Sequence, residues 1–301
     1  MELAINLGTL KLKTPIIAAS GTFGYGEELV GLVDFTSIGA IITKTITVEP
    51  RSGNPPPRIY ETSCGVLNSI GLENPGLEKF LQEKLPALAR LDTVCIVSIG
   101  GFSFEEYESM VRRISSCREI KAIEVNLSCP NIRLKKMISQ DKAATARLIK
   151  TLRPLTDKVL IAKITPETDD IVAVAAACRG ADADAISLVN TFYGMALNIE
   201  TGKPYLGNGY GGYSGKAIKP MALYRTWQVA KNIDIPIIAG GGVESSADVI
   251  EFIMAGATAV SVGTLNFVYP NHAVTIARGL RDYGKHKKIK SIEDVRGSAV
   301  L

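Results

Sequence analysis

Short apolar runs recur along the chain and alternate with longer stretches in which apolar residues return every three or four positions. The short runs read as strands over Pro15–Ala18, Ala40–Thr43, Thr93–Ser98, Ala122–Asn126, Val159–Lys163, Ala185–Val189, Ile235–Ala239 and Ala259–Val262. The longer stretches predict helices over Gly76–Ala89, Phe104–Cys117, Asp141–Leu152, Asp169–Cys178, Ala217–Lys231, Ser245–Ala255 and Asn271–Tyr283. Strands apolar on both faces need cover on both sides. Repeated βα units of this kind favour one closed, parallel (β/α)8 TIM barrel over an open doubly wound sheet. The opening segment Ala4–Leu12 predicts a short N-terminal hairpin that caps the barrel floor.

Two segments are too long to be simple connections. Thr45–Leu72 carries Pro50, Pro55, Pro56 and Pro57, so it cannot be helical throughout, and Thr191–Ser214 is rich in Gly, Asn and Tyr. Both follow predicted strands and therefore lie on the C-terminal rim, where barrels of this class assemble their sites. Long ordered loops in a compact domain are more often functional than idle. No linker or shift in composition divides residues 1–301, and a single domain is expected.

Composition then narrows the function classes. A net charge of +4 is mild, and the short cluster Lys285, Lys287, Lys288 and Lys290 reads as a solvated stretch before a last helix rather than a nucleic-acid patch. The five cysteines, Cys64, Cys95, Cys117, Cys129 and Cys178, are odd in number and form no Cys-x-x-Cys, which argues against zinc or an iron–sulfur cluster held by this chain alone. Free thiols, no charged-then-apolar leader and no membrane-length apolar run fit a cytoplasmic chain.

Candidate chemistry sits at strand ends. Cys129 follows the fourth strand in Asn126-Leu127-Ser128-Cys129-Pro130-Asn131. It is the best-placed proton-transfer group in a chain whose two histidines, His272 and His286, lie in no motif. Cys95 and Cys178, within apolar or alanine-rich runs, read as small buried hydrophobes, and Cys64 and Cys117 as incidental. Lys44 and Lys163 end the second and fifth strands; a cation there can offset a reduced flavin, bind a carboxylate or form a Schiff base. Gly240-Gly241-Gly242 after the seventh strand and Gly263-Thr264 after the eighth form a candidate phosphate cradle, with a helix beginning near Ser245 aimed at the same place. Asn68, Asn126, Asn131, Asn190 and Thr191 supply amides and a hydroxyl suited to a planar heterocycle with C=O and N–H edges.

Together these segments resemble the class I dihydroorotate dehydrogenases, and among them the NAD-linked, two-subunit class 1B. The likeness runs along essentially the whole chain. It is carried by Ala19-Ser20-Gly21-Thr22-Phe23-Gly24-Tyr25-Gly26, by the stretch from Glu49 to Ile59, by Leu67-Asn68-Ser69-Ile70-Gly71-Leu72, by the Asn-Leu-Ser-Cys-Pro-Asn turn, and by Gly211–Gly215 through Ile218-Lys219-Pro220. The resemblance implies FMN, its phosphate on Gly241, Gly242, Gly263 and Thr264, with Ser20, Lys44, Thr45, Ser98, Asn126, Lys163, Val189 and Gly215 around the ring. It implies dihydroorotate held by Lys44, Asn68, Ser69, Ile70, Gly71, Leu72, Asn126, Asn190 and Thr191. Cys129 would take the C5 proton, Lys44 and Lys163 would support the chemistry, and orotate would leave for pyrimidine synthesis. It also implies a partner subunit carrying FAD and a [2Fe–2S] cluster that passes electrons to NAD, around a homodimer core in a heterotetramer. Neither nucleic acid nor a membrane is an expected partner.

This chain departs from the resemblance at Ser98, where the third strand usually carries an asparagine that makes one flavin hydrogen bond, after Asn131, where Ile132–Met137 replaces a glycine-rich loop, and at Glu167, which replaces an asparagine without obvious consequence. Fumarate-linked and dihydropyrimidine-oxidising flavoenzymes are alternatives with similar chemistry. A flavoenzyme resembling tRNA-dihydrouridine synthases would need a basic face and an added helical domain. A Lys163 Schiff-base lyase and a catalytically silent scaffold complete the rival readings.

Overall fold

A computed structural model describes residues 1–128, 130–131 and 136–300, the side chains of Pro130, Asn131 and Lys136 excepted. Eight parallel strands close into a barrel: Ile16–Ala18, Ala40–Ile42, Val94–Ile99, Ala122–Asn126, Val159–Lys163, Ala185–Leu188, Ile237–Gly240 and Ala259–Val262. They are called here the first to eighth barrel strands. Each pairs in parallel with its sequence neighbours, and the eighth closes on the first through Val260 opposite Ile16. The fourth, fifth and eighth strands have the limits that hydrophobic periodicity predicts, because Val, Ile, Leu and Ala make up most of each.

Helices follow the strands and bury one side on the barrel: Phe104–Ser115, Lys142–Leu152, Ile171–Gly180, Lys219–Asn232, Ser246–Met254 and His272–Lys287. Side chains set their starts. Ser103, Asp141, Asp170 and Ser245 each accept a backbone N–H of the first turn. The predicted helix at Gly76–Ala89 is broken up instead, with α-helical turns at Leu77–Lys79 and Leu85–Leu88 either side of a π-helical stretch, Phe80–Lys84. The first strand is followed only by short 3-10 turns at Glu27–Leu29 and Phe35–Ser37.

The N-terminal hairpin pairs Ile5 with Leu12 and Leu7 with Leu10, and buries Leu7 and Leu12 against the floor. The lysine cluster does not precede the last long helix. Lys285 and Lys287 belong to its final turn, where cations meet the negative end of the helix dipole.

The two long rim segments are also more ordered than loops. Ile59–Thr62 and Gly65–Asn68 from one, and Phe192–Gly194 and Gly211–Ser214 from the other, form a four-stranded antiparallel sheet. Gly65–Asn68 pairs with Gly211–Ser214, so the sheet ties the rim above the second strand to the rim above the sixth.

Candidate active site

Register determines which side chains meet in the barrel mouth. Ser98 lies opposite Glu124, and Asn126 opposite Lys163, which in turn faces Ser187 on the sixth strand. Side chains alternate faces along a strand, so Ser98, Glu124, Asn126 and Lys163 share the inward face.

Beyond the second strand, Thr43–Ile46 keeps to the third: Thr43 N–H donates to Ile96 O, and Ile46 N–H donates to Ser98 O at 2.9 Å. Lys44 N–H donates to Gly24 O at 2.9 Å, which pins Lys44 between two rim segments. No carboxylate pairs with the half-buried Lys44 ammonium among the described residues.

A hydroxyl chain runs across the mouth with defined direction. Ser20 Oγ donates to Thr43 O at 2.8 Å, and Ser98 Oγ donates to Glu124 Oε1 at 2.9 Å. Having spent its proton on the carboxylate, Ser98 must accept from Thr45 Oγ1 at 2.9 Å. Thr45 in turn receives Asn126 Nδ2 at 3.5 Å. Glu124 ends the chain, fully buried, with Lys163 Nζ 3.6 Å from Oε1.

Glycine geometry builds the cradle. At Gly242, φ is 75° and an added Cβ would lie 2.9 Å from Gly215 O and from Lys219 N, so only glycine lets these two loops approach. The amides of Gly241, Gly242, Gly263 and Thr264 have no intrachain acceptor among the described residues. Beside them Thr264 Oγ1 donates to Ser214 Oγ at 2.9 Å. Four unspent donors fit the phosphate of FMN. The helix start near Ser245 contributes less than the sequence suggests, because Asp248 already accepts the Glu244 and Ser245 amides at 2.9 and 2.8 Å. An acidic group there leaves anion binding to the glycine amides.

The rim sheet carries the remaining amides. Asn68 Nδ2 donates to Gly212 O at 3.3 Å, and an added Cβ on Gly212 would meet Thr191 Oγ1 at 2.0 Å; Asn68, Thr191 and Gly212 are thus mutual neighbours. Asn190 Oδ1 accepts the Thr191 amide, and Asn190 N–H donates to Ile164 O above the fifth strand. The segment from Ser69 to Leu72 is clamped by Asn54, whose Nδ2 donates to Ser69 Oγ at 2.9 Å, and by Arg58, whose carbonyl accepts the Ser69 amide. Gly71 has φ 75° and an added Cβ would sit 2.5 Å from Asn54 N, which fixes glycine there.

Val189 and Gly215 lie at the same rim, after the sixth strand and the rim sheet. Cys129 and residues 132–135 lie outside the described residues, as does the Asn131 side chain. Their neighbours are placed: Asn126 Oδ1 accepts the Ser128 amide at 3.2 Å, and Ser128 Oγ is buried without a partner among the described residues.

Four residues were missed or undervalued by sequence reasoning. Glu124 lay within a stretch read as apolar, although a lone acid on an inward strand face is a visible signal. Arg58 and Asn54 hold the rim loop only through tertiary contacts. Glu167 does have a consequence: its Oε1 accepts the Tyr193 amide at 2.9 Å and anchors the rim sheet to the fifth strand's loop. A separate cavity of about 730 Å³, lined by Val48, Pro75, Glu78, Arg112 and Arg113, lies outside the barrel and shares none of the mouth residues.

This chain matches the dihydroorotate dehydrogenase family over residues 2–283. It belongs to that family. Among its relatives are catalytic subunits of dihydroorotate dehydrogenase B (NAD(+)). That of Trichlorobacter lovleyi is 44% identical over 98% of both chains, and that of Geotalea daltonii is 44% identical over 99% of this chain and 98% of its own. These two relatives thus align along nearly their full length with this chain. The fold is likewise that of the dihydroorotate dehydrogenase from Eimeria tenella solved with ferulenol, at a TM-score of 0.81, 24% identity, and 99% and 88% coverage of the two chains.

Proposed function

We propose that this chain oxidises dihydroorotate to orotate in de novo pyrimidine biosynthesis, as a class 1B catalytic subunit. The observation that carries this reading is that one rim holds Lys44, without a paired carboxylate among the described residues, a set of amides, and four glycine-loop donors with no acceptor among the described residues. A heterocycle bearing one carboxylate and C=O/N–H edges answers to that set, and dihydroorotate is such a molecule. Lys44 holds the carboxylate, while Asn68, Asn126, Asn190 and Thr191, with Ser69–Leu72, orient the ring. Cys129, as thiolate, takes the proton from C5. FMN, held by Ser20, Lys44, Thr45, Ser98, Asn126, Lys163, Val189, Gly215 and the glycine cradle, supplies the acceptor for the hydride from C6. Such a division of labour needs only one domain.

A catalytic subunit implies a second subunit, and the reading assigns to it FAD, a [2Fe–2S] cluster and the transfer to NAD. A homodimer core within a heterotetramer accords with apolar side chains left in water on the rim: Tyr193, packed edge-on against Tyr210, and Met195, Leu197 and Ile199, the last 89% exposed.

The purified chain, mixed anaerobically with dihydroorotate, should be yellow and then bleach. Cys129→Ala should slow the bleaching about 100-fold or more. Bleaching at the parental rate would remove the assigned base. Bleaching by an uncarboxylated dihydropyrimidine in preference to dihydroorotate would replace the substrate.

A further inference from the structure

Glu124 is fully buried in the fourth barrel strand, and nothing assigned to the mouth so far uses it. Taking a carboxylate out of water costs several kcal/mol unless partners replace its hydration. Replacement here is incomplete. Oε1 has the Ser98 hydroxyl at 2.9 Å and the Lys163 ammonium at 3.6 Å, whereas Oε2 is buried with no hydrogen-bond partner among the described residues. A pair kept for stability alone is readily outdone by apolar side chains of similar volume, such as Ile123 and Val125 of the same strand. The two mouth lysines are also electrically unlike: Lys163 has a carboxylate beside it, and Lys44 has none among the described residues.

We propose that Glu124 is a positioning residue that holds the Lys163 ammonium at the flavin and reduces the positive charge the flavin meets there. The proposal rests on the FMN reading above. Lys163, only 13% exposed, cannot swing into solvent without leaving the carboxylate unpaired, and Ser98 fixes the oxygen it faces. In the poorly screened mouth, a cation near the ring favours the added negative charge of reduction. A carboxylate 3.6 Å from that cation cancels part of the effect. Glu124 therefore keeps the bound cofactor harder to reduce and easier to reoxidise, and leaves Lys44 as the full charge available to a substrate anion.

The test is the midpoint potential of the bound FMN, read by visible absorption during redox titration without substrate. Glu124→Gln keeps the shape and an acceptor for Ser98 but removes the charge. It should shift the equilibrium at least tenfold toward reduced flavin, about 30 mV upward for a two-electron couple. Glu124→Asp, which restores the charge, should return most of that shift, and Lys163→Gln should move the potential the other way by at least tenfold. A flavin-loaded Glu124→Gln protein within twofold of the parent overturns the proposal, as does an equal shift in the Asp variant. If Glu124→Gln does not hold flavin, Lys163→Gln decides: an unchanged potential there overturns it too. A parental protein that binds no FMN would instead sink the flavin reading itself, a separate result.

Discussion

Cys95 and Cys178 show how far a single residue's chemistry follows from its surroundings. Burial pushes the Cys178 thiol up to about 12; burial does the same at Cys95, with Glu119 adding to the shift and Lys158 opposing it. The thiolate is the reacting form, so neither sulfur reacts at neutral pH. Cys64 is exposed at the tip of the rim hairpin. Alkylation with iodoacetamide at about pH 8, followed by peptide mass spectrometry, should label Cys64 in the folded protein and spare Cys95 and Cys178 until denaturant is added. Rapid labelling of Cys95 in the native state would contradict its burial. The apolar runs around Cys95 and Cys178 made their fate legible. Glu124 was harder to read, since its partners come from the third and fifth strands.

At the scale of elements, the helix Ser246–Met254 begins on a capping box: Ser245 Oγ accepts the Asp248 amide while Asp248 accepts the Ser245 amide. Lys219, from the helix Lys219–Asn232, bonds Asp248 at 2.6 Å and Glu251 at 2.8 Å, tying the two helices beneath the glycine cradle. Burial opposes ionisation of Asp248, but the Lys219 ammonium, the Glu244 amide and Ser245 outweigh it and hold its carboxyl below the usual range. The bonds to Asp248 and Glu251 raise Lys219 above the usual lysine range. A depressed carboxyl contributes stability that is present above its ordinary value and lost as pH falls through the lowered one. A raised lysine contributes below its ordinary value and loses it as pH climbs through the raised one. The tether is therefore intact across neutral pH. Asp248→Asn should cost roughly 1–3 kcal/mol at neutral pH by urea unfolding, and the gap to the parent should close below the ordinary carboxylate range. Equal stability at neutral pH would refute this tether. The helix start was readable from Ser245 before an apolar run; the competition between Asp248 and an anion for the same amides was not.

Across the whole molecule, no described helix is long and apolar enough to cross a membrane, and no His/Cys/Asp/Glu cluster among the described residues could hold a metal ion. The electron path proposed above runs through a second subunit. The chain with dihydroorotate and NAD should reduce its own flavin and then stall, and fast NADH formation by the chain alone would overturn that arrangement. If the homodimer core proposed above uses the rim patch, the parent should scatter as about twice one chain's mass and Ile199→Glu should shift it toward one chain's mass; a parent of one chain's mass would sink the proposed homodimer, and an unchanged variant would remove this patch as its contact. Hydrophobic periodicity by itself determined the eight strands, most of the helices and the floor hairpin, because a strand covered on both faces has few ways to be apolar along its length. Strand-end position likewise exposed Lys44, Lys163 and the terminal glycines. Only the tertiary structure turned two proline- and glycine-rich segments into one rim sheet, spent the Ser245-side amides on Asp248, and set Glu124 between Ser98 and Lys163. Those outcomes depend on register between strands far apart in the chain, and register is an energy of contact that no local pattern encodes.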